Sequence, residues 1–252
     1  MINPHIHVPY EKIGDYLNFI LDNKLNLEIY FSGRGLDAAD ADSIRALRDT
    51  LTHNPSLSFH APFMDLCPGA VDSKVRAVTV ERFNQVMDIA EILEPRSIVF
   101  HSGYEKWKYA LETELWLRKS LETWLPLNER AAKLGVKIAI ENIFEDEPSN
   151  LKLLMERMAS ENFGICFDAG HCNLFSKLSL AAWLDTLAPW IVELHLHDND
   201  KSSDQHLPIG DGIVDFATLF AAVRGRDCVY TIEAHSPESV VKSMARLKAY
   251  DL

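Results

Sequence analysis

FGICFDAGHC, at residues 163–172, is the segment that indicates the fold most clearly. It begins as a short apolar run of the kind that forms a buried strand, and it ends on an aspartate, two small residues and a histidine. The arrangement returns at residues 191–200, IVELHLHDND, where another apolar run ends among histidines and acids. Strands that carry their polar residues at the C-terminal end are typical of a parallel barrel with its active site at that rim.

On both sides of these two stretches, apolar runs alternate with segments of helical period along all 252 residues. The predicted strands are residues 4–8, 27–31, 57–60, 97–101, 136–141, 163–168, 191–197 and 229–234. Helices are predicted to begin near Ile13, Ala39, Ser73, Glu112, Pro148, Ser179 and Phe216, with a last helix after Pro237.

Eight strands with interleaved helices fit either a closed barrel or an open doubly wound sheet. An open sheet that binds nucleotides would carry a glycine-rich first turn, and residues 1–16 hold only Gly14. No linker or repeat divides the chain. The sequence therefore predicts an α/β fold, a single (β/α)₈ TIM barrel over residues 1–252.

The amino-acid composition limits the classes of partner that the protein is expected to bind. The net charge is −12, from 37 acidic and 25 basic residues, which disfavours a large phosphate-binding surface. No signal peptide or membrane-length apolar run is visible, so we expect a cytoplasmic protein without a membrane partner. The four cysteines lack CxxC pairing and are predicted to be buried, reduced thiols: Cys67, Cys166, Cys172 and Cys228.

The histidines share one location. Of the ten, only His53 lies away from the C-terminal end of a predicted strand or the loop that follows it. A lone strand histidine is usually structural, but nine such positions meet on one face of a barrel, the face that carries active sites. These nine are His5, His7, His60, His101, His171, His195, His197, His206 and His235.

Three carboxylates end predicted strands on the same face as His195: Glu141, Asp168 and Glu233. Three carboxylates with one imidazole suit Mn²⁺, Mg²⁺, Co²⁺ or Zn²⁺, and additional imidazoles favour Zn²⁺. The sequence thus predicts a divalent-metal centre, and the resemblance described below implies one to three ions in it. Glu193, two residues before His195, falls inside the barrel by strand alternation, so we expect it to be paired there or the register to differ.

Seven motifs, taken in order on successive strands, resemble the xylose isomerase-like TIM-barrel superfamily, and specifically AP endonuclease family 2, which includes endonuclease IV. They are FHAPF (59–63), VFHSG (99–103), AIEN (139–142), FDAGHC (167–172), LHLHDND (194–200), DQHLPIGDG (204–212) and TIEAH (231–235). The resemblance spans nearly the whole chain.

The resemblance implies three groups of metal ligands. They are His60, His101 and Glu141; then Glu141, Asp168, His195 and Glu233; then His171, Asp204 and His206. Endonuclease IV uses all three groups for three zinc ions, whereas ketose epimerases and sugar isomerases on this fold keep only the middle group. The location of the site is therefore better determined than its chemistry.

The favoured hypothesis is a metal-dependent isomerase or epimerase of a sugar or sugar phosphate that moves a proton through an enediolate. Glu141 and Glu233 would remove and return the proton. Substrate contacts are predicted at His7, Arg34, Trp107, His171 and His197, with Arg34 toward a phosphate and Trp107 in an aromatic loop suited to a sugar face.

The alternative is phosphoester hydrolysis, either by a trinuclear-zinc AP endonuclease or on a small molecule. The nine implied ligands support it, but few bases are available for DNA: Arg34, Lys74, Arg76, Lys106, Lys108 and Lys201. A third hypothesis is a non-enzymatic barrel with a storage metal. Glu28 is interpreted as structural and Gly33–Gly35 as a turn. The sequence leaves open the substrate, the metal and the oligomeric state.

Overall fold

The computed structural model describes residues 2–250 and consists of eight parallel strands closed into a barrel. Each strand pairs with the next along the chain, and the eighth pairs with the first. The strands are β1 His5–Pro9, β2 Asn26–Tyr30, β3 Leu57–His60, β4 Ser97–His101, β5 Lys137–Glu141, β6 Phe163–Asp168, β7 Ile191–Leu196 and β8 Val229–Ile232. The predicted (β/α)₈ TIM barrel is confirmed, and every strand begins and ends within two residues of the predicted position.

Ten α-helices surround the barrel within residues 2–250. They are α1 Ile13–Asn23, α2 Gly33–Ala38, α3 Ala41–Thr50, α4 Ser73–Leu93, α5 Thr113–Leu134, α6 Ser149–Met158, α7 Ala169–Phe175, α8 Leu180–Leu187, α9 Phe216–Val223 and α10 Pro237–Leu247. Eight were predicted, whereas α2 and α7 were not. The prediction of a turn at Gly33–Gly35 is wrong, since these residues begin α2. The Ser32 side chain caps this helix by accepting a hydrogen bond from the Gly35 amide.

Strand alternation divides the side chains between two apolar regions, as β4 illustrates. Ile98 and Phe100 point outward, and the Phe100 ring lies 4.7 Å from Phe83 on α4 and 5.6 Å from Trp124 on α5. Val99 points inward, where it forms a small apolar group with residues of the neighbouring strands. The next inward position on β4 is His101, so the same alternation brings a polar side chain to the rim.

Gly164 explains an irregularity between β6 and β7, whose pairing shifts register after Ile165. A Cβ atom at Gly164 would lie only 2.6 Å from the carbonyl oxygen of Trp190 and 2.7 Å from the Val192 side chain. Glycine therefore allows β7 to approach closely at this point. Beyond the shift, Asp168 pairs with His195, which places two predicted ligands side by side.

The helices and the cysteines of residues 2–250 test two further predictions. None of the helices between residues 2 and 250 combines the length and the apolar character needed to span a lipid bilayer. The four cysteines are buried free thiols, as predicted.

Candidate metal centre

The C-terminal ends of the strands surround a cavity of about 670 Å³. Its lining includes most of the predicted ligands: His60, His101, Glu141, His171, Asp204, His206 and Glu233. The other two, Asp168 and His195, are fully buried beside it. All nine side chains thus gather at one end of the barrel.

The first group consists of His60, His101 and Glu141, whose ligand atoms lie within 4.8 Å of one another. The Nε2 atoms of both histidines lie 3.0 Å from Glu141 Oε2. The other ring nitrogen of His60, Nδ1, lies 2.8 Å from the carbonyl oxygen of Ala61, and a carbonyl can only accept. A neutral His60 ring therefore donates from Nδ1 and aims the Nε2 lone pair at a carboxylate oxygen, which requires a cation or a proton between them.

The central group has the same arrangement around His195, with one ring nitrogen hydrogen-bonded and the other facing carboxylates. Its Nε2 atom lies 3.0 Å from the Glu28 carboxylate, to which it donates. Its Nδ1 atom is buried without a hydrogen-bond partner and lies 3.5 Å from one oxygen each of Glu141 and Glu233, and 3.8 Å from Asp168. An imidazole lone pair surrounded by three carboxylates is a donor set for a divalent cation.

The third group joins His171 to a loop beyond β7. The Nδ1 atom of His171 lies 3.1 Å from the carbonyl oxygen of Asn142, so the neutral ring donates there and turns its Nε2 lone pair toward Asp204, 3.4 Å away. His206 Nε2 lies 3.2 Å from the same Asp204 oxygen. His197 lies within the group as well, and its ring stacks on His206 at 4.0 Å.

The pKa values of these groups reflect the crowding of charge. Burial lowers the pKa of the His195 ring, but the surrounding acidic groups prevail and hold it well above its usual value. Burial likewise opposes ionisation of Glu141, yet His101 and His195 hold the pKa of that carboxyl well below its usual value. The pKa of His171 is raised by Asp168 and its other carboxylate neighbours against the effect of burial. The two histidines therefore hold protons more strongly than free imidazoles do, and a bound cation would replace those protons.

The residues present therefore fit divalent metal. Three histidines are each anchored as donors through one nitrogen and direct the other at carboxylates, which is the usual arrangement of metal-binding imidazoles. The outer groups, rich in imidazole, suit zinc, and the carboxylate-rich central group also suits Mn²⁺, Mg²⁺ or Co²⁺.

Asn142 ties the ends of β5 and β6 together and Gly170 leaves room for the His197 ring, and sequence reasoning missed both roles. The Asn142 side chain donates to the carbonyl of Asp168 and accepts from its amide, at 2.9 Å in both cases, so it ties the end of β5 to the end of β6. At Gly170, a Cβ atom would lie 2.1 Å from the His197 ring. The motifs AIEN and FDAGHC thus contain support as well as ligands.

Glu28 is a third residue whose supporting role sequence reasoning missed, and it contacts both His7 and His195. It is fully buried on β2, and both of its oxygens are used: Oε1 lies 2.7 Å from His7 Nδ1 and Oε2 lies 3.0 Å from His195 Nε2. His7 Nδ1 also lies 3.3 Å from Glu233. One carboxylate therefore orients a predicted metal ligand and a predicted substrate contact together.

Asp198 holds the loop that carries Asp204 and His206. Its backbone pairs with Leu207 in both directions at 2.8 Å, and its carboxylate accepts from the amides of Gly210 and Val214 at 2.9 and 3.0 Å. The third ligand group is therefore fixed to the end of β7 through backbone contacts.

The predicted substrate contacts separate into two sets. His7 and His171 line the cavity, and His197 is buried beside it. Arg34 and Trp107 do not line it: both are exposed, Trp107 by 75%. The aromatic loop around Trp107 turns inward instead, since Tyr104 packs on the buried Trp116. The roles suggested for Arg34 and Trp107 thus lack support, because Arg34 is exposed on α2 and Trp107 is exposed in the loop after β4.

Several of the bases counted as possible DNA contacts are engaged with acids. Arg76 pairs with Glu122 at 2.6 Å, Lys106 with Asp146, and Lys108 with Glu105 at 3.9 Å. These pairs reduce the positive charge available to a nucleic-acid backbone.

Comparison with known proteins places the chain in a family. Residues 25–250 match the family described as xylose isomerase-like TIM barrel. The uncharacterized protein MJ1311 of Methanocaldococcus jannaschii is 32% identical over 203 residues, which cover 76% of this chain and 68% of the relative.

Two solved structures are similar over nearly their full lengths. A D-tagatose 3-epimerase-like protein is 26% identical with a TM-score of 0.76, covering 98% of this chain and 96% of the other. The TTHB071 protein of Thermus thermophilus, soaked with ZnCl₂, is 25% identical with a TM-score of 0.81, covering 98% of this chain and 97% of the other. The chain therefore belongs to the xylose isomerase-like TIM-barrel family.

Proposed function

We propose that this protein is a divalent-metal-dependent isomerase or epimerase that moves a proton next to the carbonyl of a small sugar-like substrate. The observation that carries the proposal is the convergence of Glu141, Asp168 and Glu233 on the unpartnered Nδ1 atom of His195. The similarity to the D-tagatose 3-epimerase-like protein supports it. A divalent cation bound there supplies Lewis-acid polarisation of the substrate's carbonyl and hydroxyl oxygens.

The chain's own residues supply the proton chemistry. Glu141 and Glu233 both line the cavity and both ionise readily, since neighbouring histidines lower the pKa of each carboxyl against the effect of burial. One of them removes the proton from the carbon beside the carbonyl, and the other returns it to the enediolate. His7, 3.3 Å from Glu233, holds that carboxylate in place, and His171 faces the substrate.

The cavity itself favours a small molecule over DNA. Its volume of about 670 Å³ is that of a small-ligand pocket. Among the described residues that line it, Lys12 is the single lysine or arginine, and its Nζ atom lies 3.4 Å from Asp15. A phosphodiester backbone would find few cations in such a site.

A zinc-dependent phosphoester hydrolase is the second candidate. The two outer ligand groups favour it, since each brings two imidazole nitrogens to one carboxylate: His60 and His101 to Glu141, and His171 and His206 to Asp204. A proton-transfer enzyme with one central cation has no evident need for these groups. The substrate would be an abasic-site duplex or a small phosphoester.

The two candidates are separated by paired assays on one preparation, purified without chelator and with its metal content measured per chain. The first follows exchange of solvent deuterium into unphosphorylated ketoses, and the second follows nicking of a duplex with one abasic site. The proposal expects exchange without nicking. Nicking by a preparation with three zinc ions and no exchange would overturn it in favour of the hydrolase.

A further inference from the structure

His197 lies beneath the third ligand group, although the sequence predicts a substrate contact at this position. Its side chain is fully buried, and its ring stacks on that of His206 with 4.0 Å between the centroids and an interplanar angle of 8°. The ring also lies against Gly170, where a Cβ atom would come within 2.1 Å of it. His206 lines the cavity and His197 does not, so a substrate in the cavity would contact His206 instead.

One nitrogen of His197 is bonded to a ligand of the central group. Its Nε2 atom lies 3.1 Å from Oδ2 of Asp168, and a carboxylate oxygen accepts, so Nε2 donates. The nearest other carboxylate oxygen on this side, Oε2 of Glu233, lies 3.8 Å from Nε2. Oδ2 of Asp168 is also the oxygen that lies 3.8 Å from the unpartnered Nδ1 atom of His195. His197 therefore orients the carboxylate oxygen that faces the central lone pair.

The ring face of His197 contacts a ligand of the third group. His206 has a φ angle of 47°, in the left-handed region that residues other than glycine adopt at an energetic cost. In this conformation its ring packs flat on His197, and its Nε2 atom lies 3.2 Å from Asp204. The stack therefore holds a predicted metal ligand in the direction of its partner.

The stack also bears on whether His197 itself could bind the metal of the third group. Its ring offers a nitrogen within 4.8 Å of the ligand atoms of His171, Asp204 and His206. Its Nδ1 atom has no hydrogen-bond partner and lies 3.7 Å from Oδ1 of Asp204. However, an imidazole binds a cation in the plane of its ring, along the nitrogen lone pair. Two stacked, nearly parallel rings cannot both have one cation in their planes, so His206 excludes His197 as a ligand of the same ion.

We propose that His197 is a positioning residue shared by two metal groups. Its Nε2–H group orients Asp168 of the central group, and its ring face orients His206 of the third. The inference rests on the metal dependence in the proposed function and goes beyond it, because it links two ligand groups through one side chain. Loss of a group that orients a metal ligand typically weakens metal binding by about 10–100-fold.

Two substitutions separate the two contacts. His197→Gln keeps an N–H donor for Asp168 and removes the ring face, whereas His197→Phe keeps a ring face for His206 and removes the donor. We expect His197→Gln to weaken metal binding at the third group by about 10–100-fold and to leave the central group within about threefold. His197→Phe should do the reverse.

His5→Gln is the matched control. His5 is also a buried histidine of the barrel, but its two nitrogens bond to Ser58 and Ser56 and to no predicted ligand. This variant should keep the metal affinity of both groups within about threefold. A loss equal to that of the His197 variants would mean that any substitution of a buried barrel histidine disturbs the site.

Cadmium NMR gives a readout that does not depend on turnover. Chelator-treated protein with ¹⁵N-labelled histidine is titrated with ¹¹³Cd²⁺, and scalar coupling between the two nuclei identifies each nitrogen that binds the ion. Variants that each lack one histidine assign the couplings. We expect coupling to His195 in the central group and to His171 and His206 in the third group, with none to His197.

The outcomes separate this inference from the proposed function. Coupling between ¹¹³Cd and His197 would make it a ligand and overturn the positioning role, even if neither His197 variant folds. Unchanged affinities in both variants, or equal losses at both groups, would overturn the division between its two contacts. Binding without coupling to His206 would remove the link to the third group. Absence of any bound ¹¹³Cd would overturn the metal dependence of the proposed function, and this inference with it.

Discussion

The barrel interior contains two layers of buried polar side chains that differ in how they are satisfied. In the lower layer, His5 bonds through both nitrogens to Ser58 and Ser56, at 2.8 and 3.0 Å. Glu193 accepts from Ser97 at 2.7 Å and from Thr231 at 3.0 Å. In the upper layer, Nδ1 of His195 and Nδ1 of His197 are buried without any hydrogen-bond partner.

Burial of polar groups is therefore not by itself a sign of function. The lower layer closes on itself, so it needs nothing from outside and serves the packing of the barrel. The upper layer leaves lone pairs and carboxylates facing each other beside a cavity, an arrangement that is stable only when a cation or protons enter. Matched substitutions in the two layers should therefore have different effects.

The largest expected effect is on catalysis. Glu141→Gln and Glu233→Gln each remove a proton-transfer group of the upper layer, so deuterium exchange into substrate should fall by about 10²–10⁴-fold. Glu193→Gln in the lower layer should keep exchange within about threefold. Rates are measured at saturating metal, with the exposed Glu161→Gln as a surface control. Either upper-layer variant with more than a tenth of the normal rate would remove that residue from the scheme.

Metal removal should affect stability through the upper layer alone. A cation that binds only the folded state, present at about a thousand times its dissociation constant, stabilises by about 4 kcal/mol. Thermal unfolding should therefore shift to higher temperature when Mn²⁺ or Zn²⁺ is added to chelator-treated protein. Glu193→Gln should show the same shift and Glu141→Gln a much smaller one. Equal unfolding temperatures with and without metal would contradict the candidate centre.

The same metal affinity should weaken in acid. The pKa values of His171 and His195 are raised by neighbouring carboxylates against the effect of burial, so both rings take up protons readily as the pH falls. Protons and metal compete for the same lone pairs, and the dissociation constant should rise steeply with each unit of acidification. The check is a metal titration repeated at several pH values, and a flat profile would argue against imidazole ligands.

Glu28 connects the layers, and its substitution tests whether orientation of His195 matters. The glutamine in Glu28→Gln offers one acceptor oxygen where His7 and His195 both donate. Metal affinity should fall by about 10–100-fold, as for other groups that orient a metal-binding histidine. The readout is competition with a chelating dye at fixed pH, and Glu193→Gln is the buried control. An affinity within about threefold of the unmodified protein would reduce Glu28 to a packing role.

The fold and the gathering of the candidate ligands at one end of the barrel could be predicted, because side chains alternate along a strand and every second one points into the barrel. His101 and Glu141 end adjacent strands on the inward side, and the structure pairs them directly. The short helices α2 and α7 could not be predicted, since six or seven residues are too few to show helical periodicity. Arg34 lies on α2, one of these unpredicted helices, and Trp107 lies in a loop, whose conformation the periodicity of strands and helices does not encode.

The sequence does contain a signal for the internal pairing of Glu28. A charged residue within an apolar strand must find a partner when the strand is buried. That rule, applied to Glu193, predicts internal pairing, and the contacts of Glu193 with Ser97 and Thr231 confirm it. The same rule holds for Glu28, but the identity of its partners, His7 on β1 and His195 on β7, follows only from the closed barrel.

The smallest expected effect concerns the lower layer. Burial, together with the nearby charge of Glu28, raises the pKa of Glu193 from 4.5 to about 8. The unfolded chain releases this proton near pH 4.5, whereas the folded protein keeps it until about pH 8. The folded state thus binds more protons in that window, and the contribution of Glu193 to stability falls as the pH rises through it.

Glutamine at position 193 has no proton to lose, and its amide can bond to both Ser97 and Thr231. Metal-free Glu193→Gln should therefore gain stability relative to the unmodified protein as the pH rises from about 5 to about 8, by roughly 1–3 kcal/mol. Chemical denaturation of both proteins at matched pH values measures this difference, in which the titration of the shared histidines cancels. A constant difference across the window would mean that Glu193 is ionised in the folded barrel, and the lower layer would then be charged like the upper one.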